Sequence, residues 1–192
     1  MTEETKLRIM NGLQQHGYVI SNINDLFNLS HKERELVPYL LELLDYLSDE
    51  SDKEFIVRCL GVKGFTEVIP KLLTEFKSAK NNYYRWAIAN SINIIHSMTI
   101  EKELIELSSN KKYGTGRQML VLSLGEYKSD LSLNCLVSLL KDEEVRGHAL
   151  QALGKCGTPE VLSDIEMYCN SENNWIKKTA IKAAKKIRRK YL

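Results

Sequence analysis

The segment E-L-V-P-Y-L-L, Glu35 to Leu41, returns 32 residues later as E-V-I-P-K-L-L, Glu67 to Leu73. The shift recurs along the chain. Lys53, Arg85, Arg117, Arg146 and Lys177 are separated by 32, 32, 29 and 31 residues, and each opens a segment whose apolar residues follow a helical rhythm. A period in this range marks a solenoid of stacked helical units, none of which buries its apolar face alone. The predicted fold is all-α: an α-α superhelix of about five helical pairs with a capping helix at each end. One domain spans residues 1–192, with an N-terminal cap over 1–29, repeats over 30–172 and a basic capping helix over 173–192.

Each unit has the same internal grammar. Val145, Ala149, Ala152, Leu153 and Cys156 fall on one helical face, and Gly154 and Gly157 mark its end, where a left-handed terminus is expected. Thr158 and Pro159 then open a second helix as N-cap and first-turn proline, followed by Val161, Leu162, Ile165 and Tyr168 as its apolar stripe. At the N-terminus, Thr2 to Gln15 reads as an amphipathic helix through Leu7, Met10 and Leu13. Ser30 with Glu33 forms a capping box for the helix that carries Pro38. In the last helix, Ile176, Ala180, Ala183, Ala184 and Ile187 supply the packing stripe.

Composition agrees with an ordered array. The chain is 43% hydrophobic and 27% charged, with ten glycines and three prolines, which leaves little for disordered linkers. The start, Met1 to Lys6, carries two glutamates and no apolar core, and no stretch approaches the ~18 apolar residues of a membrane span, so a cytoplasmic protein is expected. Cys59, Cys135, Cys156 and Cys169 form no C-x-x-C pair and read as reduced, structural residues. The net charge of +2 is unevenly distributed: residues 173–192 hold eight Lys or Arg and no acid, leaving a balance of −6 over the preceding 172.

The segment V-R-G-H-A-L-Q-A-L-G-K-C-G-T-P-E-V, Val145 to Val161, with L-K-D-E-E-V-R from Leu140 to Arg146, resembles bacterial HEAT-like repeats of the phycobilisome-lyase type. The resemblance covers about residues 31 to 190, and the second unit departs from it by placing Asn93 where glycine is usual. It implies a right-handed superhelix with first helices outside and second helices lining a concave face. It also implies that the repeating cation is structural, tied to an acid or to carbonyls of the preceding turn, as Asp142 would be for Arg146. Small bacterial proteins of this kind act as scaffolds or as immunity proteins against toxins.

Several residues stand out as binding candidates. On the predicted concave face, opposite the apolar stripes of the second helices, lie Thr74 and Lys77, Lys102 and Glu106, Cys135 and Ser138, and Ser163 and Glu166. Tyr83, Trp86 and Trp175 lie off the core stripe and are candidate aromatic anchors, whereas Tyr84 aligns with the core positions Val145 and Ile176. Lys178, Lys182, Lys185 and Arg189 form a stripe suited either to phosphates or to the solvated face of a cap. K-K-Y-G-T-G-R, Lys111 to Arg117, sets Gly114, Thr115 and Gly116 beside three cations, but lacks P-loop spacing and reads as an inter-repeat turn with Thr115 as N-cap. His16, His31, His96 and His148 share no metal-ligand spacing, and no cofactor is expected.

The polar, mixed-sign groove favours a protein partner over nucleic acid, which prefers a consistently positive floor. The expected function is therefore non-enzymatic: a scaffold, adaptor or immunity-type protein binding another protein on its concave face. Two alternatives use the same scaffold. One resembles the HEAT-like alkylpurine DNA glycosylases or a related DNA-binding protein; the other is a bilin-lyase-like enzyme. Nucleic acid is thus the second partner class, and no membrane partner is expected.

Overall fold

The computed structural model of the chain describes residues 1–191. Among them are eleven α-helices and several short 3-10 segments, with no β-strand. They separate into two units, Met1–Ser97 and Met98–Leu192. The expected all-α architecture of helical pairs is present in both.

The first unit contains α1 (Glu3–Gln15), α2 (Val37–Tyr46), α3 (Glu50–Leu60), α4 (Ile69–Ser78) and α5 (Asn82–Ile95). The duplicated segments fold alike. Each enters its helix through a 3-10 turn, with Leu36 at φ −78°, ψ −14° before α2 and Val68 at φ −83°, ψ −15° before α4. Pro38 and Pro70 follow in the first helical turn, where the missing N–H removes no intrahelical bond. Leu36 and Val68, Val37 and Ile69, and Leu40 and Leu72 are all buried. Helix α3 packs on both α2 and α5, and Ser91 of α5 donates to the Val57 carbonyl at 2.8 Å, which satisfies a buried hydroxyl across that contact.

Two N-terminal details differ from expectation. Ile9 and Leu13 form the buried face of α1, while Leu7 is 61% exposed, because α1 has a narrow apolar seam and only one side of it meets α2. The Ser30–Glu33 capping box exists, with Ser30 N–H donating to Glu33 Oε2 at 2.7 Å, but it caps the 3-10 segment His31–Leu36, not α2 itself.

The second unit contains α6 (Glu101–Ser109), α7 (Gln118–Leu124), α8 (Asp130–Leu139), α9 (Arg146–Cys156), α10 (Leu162–Glu166) and α11 (Asn174–Tyr191). First helices α7, α9 and α11 stack in order, and the second helices α6, α8 and α10 pack against them. Leu120, Leu124, Ala149, Ala152, Leu153, Ala180, Ala183 and Ile187 are at most 2% exposed, so the predicted stripes form the core.

Gly154 and Gly157 act through size instead of handedness. Gly154 lies inside α9, and Gly157 is extended at φ −60°, ψ 151°, so neither provides the left-handed terminus expected there. A Cβ on Gly154 would sit 3.2 Å from Ala183 of α11, and one on Gly157 would sit 2.7 Å from Ile187 Cδ1 and 2.5 Å from the Leu153 carbonyl. These glycines let the chain approach closely. Left-handed residues follow helices of the first unit instead, at Gly17, φ 78°, after α1 and at His96, φ 59°, after α5.

Candidate functional site

Four of the five repeating cations bond within or between the repeats. Arg117 is fully buried. Its guanidinium donates to the Ser108 carbonyl at 2.9 Å, the Gly114 carbonyl at 3.0 Å, Asp142 Oδ2 at 2.8 Å and Glu144 Oε2 at 2.9 Å. It therefore joins the end of α6 to the turn before α9. Asp142 thus pairs with Arg117 of the previous unit and not with Arg146, which donates to the Leu140 carbonyl at 2.7 Å and lies 3.9 Å from Glu143. Arg85 bonds the carbonyls of Phe76 and Ala79, and Lys53 meets Glu75 at 3.0 Å. Lys177 is exposed.

The same arrangement explains K-K-Y-G-T-G-R. Residues Lys111–Arg117 form a 3-10 segment capped by Asn110, Gly114 adopts φ 51°, and α7 starts only at Gln118 without a side-chain cap. Thr115 is not the N-cap, because the buried Arg117 guanidinium pulls the turn onto the Asp142 and Glu144 carboxylates and the Ser108 and Gly114 carbonyls. Burial pushes the Asp142 carboxyl up, but the hydrogen bond and charge of Arg117 outweigh it and hold the group below the usual carboxylate range.

Most of the expected concave row is on the surface. Thr74, Lys77, Lys102, Glu106, Ser138, Ser163 and Glu166 are exposed. Cys135 is not: it is 8% exposed, with its sulfur 3.5 Å from Ser109 Oγ. Helix α8 is covered by both α6 and α9, which turns Ser132, Cys135, Leu136 and Leu139 inward and leaves Leu131, Asn134 and Ser138 outside. Asn134, one turn before Ser138, is the surface residue that helical spacing alone missed. Glu166 pairs with Arg188, whereas Lys102 and Glu106 have no ion-pair partner among the described residues.

Residues 100–185, within the second unit, match the family model for HEAT repeats. These residues form HEAT repeats. No curated protein matches it. HEAT repeats commonly mediate contacts between proteins, so the surface residues of these repeats carry the functional question.

The aromatic candidates of the repeats lie in different environments. Tyr83 is 76% exposed, and Tyr84 beside it is buried, with its hydroxyl donating to Glu75 at 3.0 Å. Trp86 is partly buried, with the Arg58 guanidinium 5.8 Å from its ring. Trp175 is half exposed and lies over Gly147, where a Cβ would come within 1.9 Å of the indole; its other neighbour is the His148 ring at 5.7 Å. Burial pushes the His148 imidazole down, favouring its neutral form. His16, His31 and His96 lie elsewhere, and no group of three or more metal-binding side chains occurs among the described residues.

The basic stripe of α11 divides between two grooves. Lys178 and Lys182 line a groove of about 320 Å³ between α9 and α11, together with Lys155, Lys186 and Trp175. Lys185 borders α10 on the opposite side, and Arg189 is exposed. Among the described residues, no helix is long and apolar enough to cross a membrane.

Proposed function

We propose that this HEAT-like protein is a non-enzymatic interaction module, of scaffold, adaptor or immunity type, that binds a partner protein along the exposed polar side of α6, α8 and α10. The observation that carries this reading is the state of Lys102 and Glu106. Several other charges of these repeats are engaged internally: Arg117 with Asp142 and Glu144, Glu101 with the hydroxyls of Ser129 and Ser132, and Lys155 with Glu126. Lys102 and Glu106 stand one turn apart, exposed and without an ion-pair partner among the described residues.

Ser138, Ser163 and Glu166 continue the row in the following units, and Thr74 and Lys77 hold the corresponding positions on α4. Such a mixed-sign surface recognises a partner by charge register, and specific interfaces of this kind bury about 1,200–2,000 Å². A photo-crosslinking residue at Ser138 should capture one defined protein from the native cell. The double variant Lys102→Glu with Glu106→Lys, folded by circular dichroism, should lose that product at least ten-fold. Undiminished capture by the double variant would place the interface elsewhere.

A further inference from the structure

We infer that the groove between α9 and α11 binds a single strand of nucleic acid, a second site independent of the α6–α8–α10 surface. One wall belongs to α11, where Lys178, Lys182 and Lys186 recur every four residues, a rise of about 6 Å per step. The facing wall supplies Lys155 from α9. Glu126 holds Lys155 at 2.6 Å, but Lys178, Lys182 and Lys186 are exposed and have no ion-pair partner among the described residues. Among the described residues, no carboxylate lines the groove. Three uncompensated cations along one helix therefore face a trough of about 320 Å³.

A phosphate backbone fits this row. Each phosphate neutralised by lysine releases a condensed counterion, which is the main source of affinity for unsequenced strands. Trp175 supplies the second element. Half of its surface remains exposed where it borders the groove, and an indole beside a cationic track is a platform on which a base stacks. The walls are adjacent helices that meet closely at the floor, where a Cβ on Gly154 would lie 3.2 Å from Ala183. A nucleotide strand uses both elements at once, its phosphates on the lysines and a base on the indole.

Fluorescence anisotropy of the full chain with a labelled single strand of about 12 nucleotides, at salt from about 50 to 200 mM, tests the site. The variant Lys178→Gln with Lys182→Gln and Lys186→Gln should weaken binding at least ten-fold and reduce the salt slope by about 2, since each single-strand contact contributes about 0.7. A control of equal charge change, Lys128→Gln with Lys141→Gln and Lys185→Gln, should stay within about three-fold. All six lysines are exposed, so folding is retained in both variants. In a Trp86→Phe background, strand binding should quench the remaining Trp175 emission. Equal losses in both triple variants, tighter binding of duplex, displacement by polyglutamate at matched charge, or no binding at low salt would each overturn the assignment. Lys102→Glu with Glu106→Lys should leave strand binding intact, so failure of this site and failure of the protein-docking surface are separable.

Discussion

The Arg117 guanidinium reaches Asp142 at 2.8 Å from a position with no solvent exposure, and this bond joins two successive HEAT-like repeats. Its remaining donors meet Glu144 and the carbonyls of Ser108 and Gly114. Truncation leaves buried acceptors without a donor, which is the costly way to break such a pair. Arg117→Ala should destabilise the protein by about 3–5 kcal/mol. Arg146→Ala, which mainly frees the Leu140 carbonyl, should cost about 1 kcal/mol. Chemical denaturation of both variants checks the order.

The same pair predicts an acid response. Because Arg117 holds the Asp142 carboxyl below its ordinary range, the folded-state pKa lies below the unfolded one. Its stabilisation is therefore complete above the unfolded value of about 3.9 and disappears as pH falls through the folded value. Asp142→Asn should be less stable than the parent by roughly 1–3 kcal/mol at neutral pH. The gap should narrow as pH falls below about 4. Urea titrations at both pH values measure the gap.

Close helix approach makes the glycines of the second unit unequal. A Cβ on Gly125 would lie 2.8 Å from Ala152 Cα and 2.9 Å from its carbonyl oxygen, so the backbone itself must move. Gly125→Ala should cost about 1–3 kcal/mol. Gly154→Ala meets Ala183 at 3.2 Å inside a helix where alanine is intrinsically favoured by about 1 kcal/mol, and should be close to neutral. Gly147→Ala would instead expel the Trp175 indole, which is free to swing outward, and should red-shift its emission. Thermal denaturation and fluorescence separate the three.

Thiol reactivity should divide the four cysteines. Burial pushes the Cys59 thiol up to about 12, and it also raises Cys135 and Cys156. All three are buried and Cys169 is partly exposed. At pH 8 the native protein should show one fast thiol, lost in Cys169→Ser, and three that react only on unfolding. A time course with a chromogenic disulfide reports the count.

Much of the HEAT-like fold is legible in the chain because its signals are local. The 32-residue echo of E-L-V-P-Y-L-L returns as the same 3-10 entry, the same first-turn proline and the same three buried positions. The stripe Ile176, Ala180, Ala183, Ala184 and Ile187 is the buried face of α11 without exception. The candidate surfaces were less legible. One apolar stripe sets the helical phase that places Cys135 on an exposed row, whereas α8 is packed on two sides. Sequence spacing does not join Lys155 and Lys186 to Lys178 and Lys182, because the groove exists only once α9 and α11 lie together.

Periodicity, proline placement and the run of cations at the end of the chain thus determined the helices, their inward faces and where positive charge accumulates. Such features depend on residues within a few turns of one another, and helical geometry fixes their consequences. The tertiary structure decided which carboxylates Arg117 would meet, which glycines separate touching helices, and which lysines would share a groove. Those relationships join residues roughly 23 to 31 positions apart, and the rotation of each helix about its own axis is settled only by the two neighbours between which it packs.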